Sequence, residues 1–434
     1  MTHIDLAAPM EVHVRSAART NTAWTALVLL AVTICSGVAM RTVFSPVQEL
    51  VARDLRFSDF QVSLIQGLAL SIPVALLSIP IGRMTDRGNR AQLLFGLSVL
   101  WTLGSFGTVF AVDFWQMFVA RMFAGIGSMC ALTVAISMAA DMSAPHMRGR
   151  SLLLLSLGNL VGAALAFALG GALLGHFANV APPLPGLAPW RSVHLAFSGV
   201  SVLLTLLLLT IREPARHEVA DASPDVGAAL RALWQRRALI APLFLGQVTV
   251  VMADAAATIW AAPVLSRSYG LQPEQFAGWI GLVLLGSGIV GSILGGLSAD
   301  AGQKSKIKGG ILLGAVITAI LSIPAAFFPM MPTTLGFALM LFLLMTCGAI
   351  TGLVTAAALS VLVPNEIRGV CLGAFIVVGA IIGFGVAPTL TTLLADAFGG
   401  PHALRYGLTA TSVGVSVISA LGFIAAMRSA PRAA

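Results

Sequence analysis

Charge is what this sequence has least of. Aspartate, glutamate, lysine and arginine together make up 10% of its 434 residues, against about 25% in an average soluble domain. That supply is too small for a water-facing surface, and the 58% hydrophobic content is too high for a disordered chain. Cysteine is scarce as well: Cys35, Cys130, Cys347 and Cys371 all lie in apolar runs, without the spacing of a disulfide framework or a metal site. The histidines, His3, His13, His146, His176, His194, His217 and His402, are scattered over loops and helix ends and form no metal or acyl-transfer set. Glycine-rich phosphate loops are absent, which argues against direct use of ATP. Enzymatic function is therefore not expected, nor is a resident cofactor.

What remains is a chain of mean hydropathy +0.94, with lipid as its main solvent. Charged residues mark off the crossings. Between Arg19 and Arg41 lie 21 uncharged residues, between Asp59 and Arg83 another 23, and between Arg90 and Asp113 another 22, each close to the roughly 20 a helix needs to cross hydrocarbon. Further spans are expected at about 114–140, 150–176, 190–211, 238–265 and 275–299. The uncharged stretch from Lys308 to Glu366 is too long for one crossing, and Pro329-Met330-Met331-Pro332 divides it into the ninth and tenth. The last two follow at about 369–395 and 405–427. The expected fold is an all-α membrane protein of twelve transmembrane helices, with both termini on one face.

Net charge is +8, yet the cations sit at the ends of apolar runs. They read as topology signals and not as a nucleic-acid footprint. With cytoplasmic termini, 18 of the 25 basic residues fall on that face and only Arg53, Arg56, Arg191, Arg267 and Arg405 on the other, leaving Arg41 and Arg121 inside spans. The expected location is the cytoplasmic (inner) membrane. Residues 1–22 form a cytoplasmic segment without a cleavage pattern, so the first helix reads as a retained anchor. The longest hydrophilic stretch, residues 213–237, reads as a cytoplasmic linker in which Ser223-Pro224-Asp225 starts a short amphipathic helix ending near Trp234. A tail, residues 428–434, closes the chain.

The chain repeats itself. Gly82-Arg83-Met84-Thr85-Asp86-Arg87-Gly88-Asn89-Arg90 is echoed by Gly296-Leu297-Ser298-Ala299-Asp300-Ala301-Gly302-Gln303-Lys304, with Asp86 and Asp300 separated by 214 positions. A second echo pairs Pro145-His146-Met147-Arg148-Gly149 with Pro364-Asn365-Glu366-Ile367-Arg368-Gly369. Two six-helix halves follow, residues 23–212 and 238–427.

The pattern filled by Gly82, Asp86, Arg87 and Arg90 resembles the cytoplasmic signature of the major facilitator superfamily, and Arg121-x-x-x-Gly125-x-Gly127 resembles its fourth-helix signature. Arg41, Phe114-Trp115-Gln116 and Arg148-Gly149-Arg150 are similar to bacterial spinster-type members. The resemblance implies the two-half major facilitator fold and secondary transport by alternating access, with lysolipids or sphingoid phosphates among the substrate classes. Spinster-like proteins carry an Asp before the first-helix Arg and a Glu after the fourth-helix glycines; these positions hold Met40 and Ser128 here. At the cytoplasmic turns, Gly82, Asp86, Arg87, Arg90 and Asp300 are expected to act as a conformational latch, the carboxylates accepting from a helix N-terminus or a basic group across the bundle.

Ionisable groups inside a bilayer cost several kcal/mol and point to function. Arg41, placed near the outer end of the first helix, Arg121 in the fourth and Asp254 in the seventh are expected at comparable depth. Shifted by 214, position 40 falls on position 254, so the carboxylate missing at Met40 reappears in the other half. The expectation is that Asp254 pairs with Arg41 or Arg121 across a central cavity, with protons as a possible coupling ion. Gln66, Asn159 and Gln247 are further polar candidates, more in keeping with interhelical hydrogen bonds than with ligand contacts, and Trp260, Phe123, Met252 and Met345 candidates for an apolar subsite. The expected solute is small, organic and amphipathic or anionic, carried by a monomer whose other partners are membrane lipids. The rival readings are a drug or organic-acid permease of another major facilitator family and a non-transporting membrane sensor.

Overall fold

The computed structural model describes residues 8–144, 147–180, 184, 186–216, 226–400 and 402–430. Twelve helices are long and apolar enough to cross a membrane: Trp24–Leu55, Asp59–Arg87, Arg90–Phe110, Phe114–Met142, Arg148–Asn179, Pro189–Leu208, Arg237–Tyr269, Pro273–Lys304, Gly310–Met330, Thr334–Leu362, Gly373–Phe398 and Ala403–Ser429. They are called spans 1 to 12. The expected count and the Met330–Met331 division hold, and no strand occurs among the described residues. The face bearing both chain ends is the terminal face, and the opposite one the distal face. Of the linker, Val226–Gln235 is helical; Ser223-Pro224-Asp225, Pro145-His146 and Pro182, Pro183 and Pro185 lie outside the described residues.

Helix ends are written locally. Ser58 and Gln61 form a capping box ahead of span 2, and Asn89 and Asp113 each accept a backbone N–H of the first turn of spans 3 and 4. Each such cap contributes about 1 kcal/mol. Gly270, at φ 70°, ends span 7 in the left-handed conformation that glycine adopts without strain.

The first span departs from expectation. It does not stop at Arg41 but continues through a break at Val43 to Leu55. Pro46 has no N–H to bond the carbonyl of Thr42, which accounts for the break without ending the helix. Arg41 therefore has 17 residues of the span before it and 14 after. It lies at mid-span, too deep to reach the distal interface.

Close approach follows the fourth-helix glycines. A Cβ on Gly125 would stand 2.9 Å from Leu70 Cα of span 2, and one on Gly127 2.4 Å from the Leu97 carbonyl of span 3. The motif thus lets one helix touch two neighbours at backbone distance.

The apolar clusters show where the halves meet. One cluster belongs to the amino-terminal half apart from Ala380, and another joins spans of the carboxyl-terminal half on the terminal side, with Leu233 of the linker. The third is shared: Ala52, Val62 and Phe167 pack with Ile259, Trp260, Val264 and Leu265 of span 7 and with Phe276, Phe328 and Phe337. It lies toward the distal face.

Candidate functional site

Between the halves, at mid-depth, span 1 meets span 11. Residues Gly379–Val386 of span 11 form a π-helical stretch, a geometry frequent at functional sites. It lies against the break of span 2 at Gly67, where an added Cβ would stand 2.8 Å from the Phe384 carbonyl. The Arg41 guanidinium is 5.9 Å from the Phe384 ring centroid. The residue is half-buried, and no carboxylate lies within ion-pair distance of it among the described residues.

Arg121 is fully buried behind it. Its Nη2 donates to the Arg41 carbonyl at 2.6 Å and to Gln66 Oε1 at 3.3 Å, and its guanidinium stands 4.9 Å from the Phe44 ring centroid. Nε has no partner. Dipoles and a ring face solvate this cation, and no acid among the described residues does. The network continues across the molecule. Gln66 Nε2 donates to Gln48 Oε1 at 2.6 Å, and Gln48 Nε2 donates to the Ile259 carbonyl of span 7 at 2.5 Å. Pro263, four residues on, cannot bond that carbonyl, so a proline in one half frees an acceptor for a glutamine in the other.

Asp254 is elsewhere. It lies near the middle of span 7 but lines a small cavity inside the carboxyl-terminal half, between spans 7, 9, 10 and 12. Its carboxylate packs on Gly348, where a Cβ would be 2.4 Å from Oδ2, and Oδ1 is buried without a hydrogen-bond partner. The expected pairing with Arg41 or Arg121 is not formed. The repeat explains why: Met40, at the equivalent position, is likewise buried in the core of its own half.

Gln247 makes an interhelical hydrogen bond, accepting from Thr355 Oγ1 at 2.9 Å. Asn159 is half-buried in span 5. Trp260, Met252 and Met345 are buried core residues, whereas Phe123 is 41% exposed and packs in none of the three cores, so these four do not form one subsite.

The ion pairs that bridge the halves are distal. Arg267, at the end of span 7, binds both oxygens of Asp59 (2.6 and 2.7 Å) and also Glu49 (2.9 Å). Ser63 and Thr389 add a hydroxyl contact at 3.1 Å. No ion pair joins the halves at the terminal face among the described residues. Of the residues expected to form a latch there, only Arg90 makes ion pairs among the described residues. Arg90 is clamped by Asp141 at 2.5 Å and Glu213 at 2.7 Å, and Arg216 of the linker donates to the carbonyls of Thr85, Asp86 and Gly88. Asp86, Arg87 and Asp300 are exposed and form no ion pair among the described residues, and the half-buried Gly82 faces open space.

Sequence reasoning missed Gln48, Glu49, Asp59, Asp141, Glu213 and Arg267, and it dismissed His194. That histidine is fully buried, donates from Nδ1 to the Trp190 carbonyl at 3.0 Å and shares the Phe44 ring with Arg121. The signal for Gln48 was present in Pro263; the others needed the fold.

Residues 29–388 match the family model of the Major Facilitator Superfamily, and the chain belongs to that family of membrane transporters, which are not enzymes. Its relatives narrow the comparison. The chain is 30% identical over 233 residues to the 3-(3-hydroxy-phenyl)propionate transporter of Escherichia coli K12, a match spanning 53% of each protein, about half the relative's length. In structure it is similar to a bacterial homolog of the human lysosomal transporter Spinster in an inward-facing, unoccupied conformation, with TM-score 0.79, 20% identity and coverage of 94% of this chain and 97% of that one. The inward-open xylose transporter XylE of E. coli superposes with TM-score 0.67 at 13% identity, over 92% and 95% of the two chains. These structural likenesses concern the fold.

Proposed function

We propose that the protein is a secondary transporter of a small organic anion, working by alternating access in the cytoplasmic membrane with both termini in the cytoplasm. The observation that carries this reading is Arg41: a half-buried guanidinium at mid-span, between the halves, with no carboxylate beside it among the described residues. An unpaired cation at that depth is costly, and an anionic solute is the partner that offsets the cost. The Phe384 ring offers a face for an aryl group. The relative that carries 3-(3-hydroxy-phenyl)propionate, an aromatic carboxylate, supports the same class.

Closure of the distal face by Arg267, Glu49 and Asp59 corresponds to a state open toward the termini, the state of the inward-facing neighbours. The excess of basic residues on the terminal face supports a cytoplasmic position for that face. One chain holds both halves, so a monomer suffices.

The test is uptake of labelled 3-phenylpropionate into liposomes holding the purified protein, with a lysophospholipid and a cationic drug as the other arms. Arg41→Gln should weaken anion uptake about 10- to 100-fold, the scale of a lost charge-assisted hydrogen bond. Equal uptake by the variant sinks the role of Arg41. No flux of any class sinks transport itself and favours a sensor, and lysolipid flux alone moves the solute to the amphiphiles.

A further inference from the structure

The cavity around Asp254 is short of hydrogen-bond donors. Four hydroxyls on its wall give their hydrogens to helix carbonyls: Thr318 to Gly314 at 2.8 Å, Ser322 to Ala319 at 2.7 Å, Thr351 to Gly348 at 2.8 Å and Ser419 to Gly246 at 2.9 Å. What they turn elsewhere is lone pairs. Ser416, on the same wall, is only 2% exposed and its Oγ has no partner, although a serine in mid-helix ordinarily bonds back to the preceding turn. Asp254 Oδ1 is likewise unpartnered. No lysine, arginine or histidine lines the cavity, and the one other titratable group on its wall is the Cys347 thiol. A carboxylate among acceptors, with no cation in reach, lacks a positive charge. The void measures about 10 Å³, near the lower limit for a single water-sized occupant.

We propose that this cavity is a binding site for one small monovalent cation, either a sodium ion or a proton held on Asp254, placed inside the carboxyl-terminal half and away from the solute. Asp254 supplies the charge, Ser416 and the hydroxyls of spans 9, 10 and 12 supply oxygen lone pairs, and Gly348 leaves room for the carboxylate. Span 7 carries the consequence. The same helix bears Ile259, held by Gln48, and Arg267, which closes the distal face. Filling the site changes how span 7 packs on spans 9, 10 and 12 and so biases the distal gate. As a coupling site it rests on the transporter reading; as a binding site it does not.

The experiment is thermal unfolding of the purified full-length protein in detergent without solute, followed by tryptophan fluorescence. Sodium chloride replaces choline chloride at constant ionic strength near about pH 8, and a separate pH series is run in choline, since a ligand bound only by the folded state raises the melting temperature. Wild type, Asp254→Asn and Ser416→Ala are compared. A saturable rise with sodium, lost in Asp254→Asn and needing about tenfold more sodium in Ser416→Ala, identifies a sodium site. No response to sodium, together with a pH dependence of wild type and Ser416→Ala that Asp254→Asn loses, identifies a proton site. Identical responses of wild type and Asp254→Asn to both cations overturn the proposal. Should Asp254→Asn fail to fold, Asp254→Ser takes its place under the same criteria, and responses identical to wild type overturn the proposal. Because no solute is present, failure here leaves the anion reading standing, and failure of anion uptake leaves this measurement valid.

Discussion

The two halves bury opposite charges and treat them differently. In the amino-terminal half, Arg121 is completely enclosed, yet Gln66, the Arg41 carbonyl and the Phe44 ring surround it with electron density. In the carboxyl-terminal half, Asp254 faces hydroxyls that, apart from Ser416, have committed their hydrogens to helix carbonyls, and its Oδ1 has no partner. A buried ion does not need a counter-ion if its surroundings supply dipoles of the right sign. The arginine is left short only at Nε. The aspartate has no dipole of the right sign turned to Oδ1, and that asymmetry is the ground on which the cation site is proposed.

Substitution sharpens or breaks this contrast. The largest effect is expected for Arg121→Met, which leaves the Arg41 carbonyl and Gln66 Oε1 without their donor; a loss of about 1–3 kcal/mol for each acceptor left unpaired is expected in denaturant unfolding, and a total loss below about 1 kcal/mol would show that the surrounding dipoles are not committed to it. Gly348→Ala places a methyl 2.4 Å from Asp254 Oδ2 and should cost about 1–3 kcal/mol; an unchanged midpoint means the carboxylate turns freely. Asp254→Asn should go the other way, leaving stability equal or raising it by about 1 kcal/mol in sodium-free buffer, because a neutral amide replaces an unpaired carboxylate. Destabilisation by the same amount as Arg121→Met would erase the difference between the halves. Asp86→Asn, at an exposed position without an ion pair among the described residues, should stay within about 0.5 kcal/mol of wild type.

The gate is checked by distance and not by stability. With spin labels attached through Phe60→Cys and Leu271→Cys, Arg267→Gln should lengthen the distal separation, since the halves lose their doubly bidentate bridge. An unchanged distance distribution would leave closure to the apolar cluster of Val62, Ile259, Trp260 and Phe276 alone.

How far the sequence could be read depended on what each residue had to satisfy. Spans 3 and 4 were placed within two residues because Arg90, Asp113 and the caps at Asn89 and Asp113 coincide with helix ends. Span 1 departs from the same rule: Arg41 reads as an end in the sequence, whereas Phe44–Leu55 continues the helix with Glu49 and Arg53 on board. Those charges are tolerated because Glu49 meets Arg267 of the other half, a partner 218 residues away that no local pattern reveals. Asp254 was found from its isolation in an apolar run, and its direction was missed. A helix apolar on all sides has no periodic stripe to say which face turns inward, although the repeat with Met40 held that information.

The sequence by itself determined the lipid solvent, the number of crossings, the half-chain repeat and the family signatures. Those follow from composition, from run length against bilayer thickness and from spacing along the chain. Only the tertiary structure decided that Arg41 faces the interface between halves, that Arg121 is solvated by dipoles and Asp254 by acceptors, and that Arg267 closes the distal face. Each of these depends on which side of a helix meets which neighbour. Backbone groups satisfied within every helix leave that choice to packing alone.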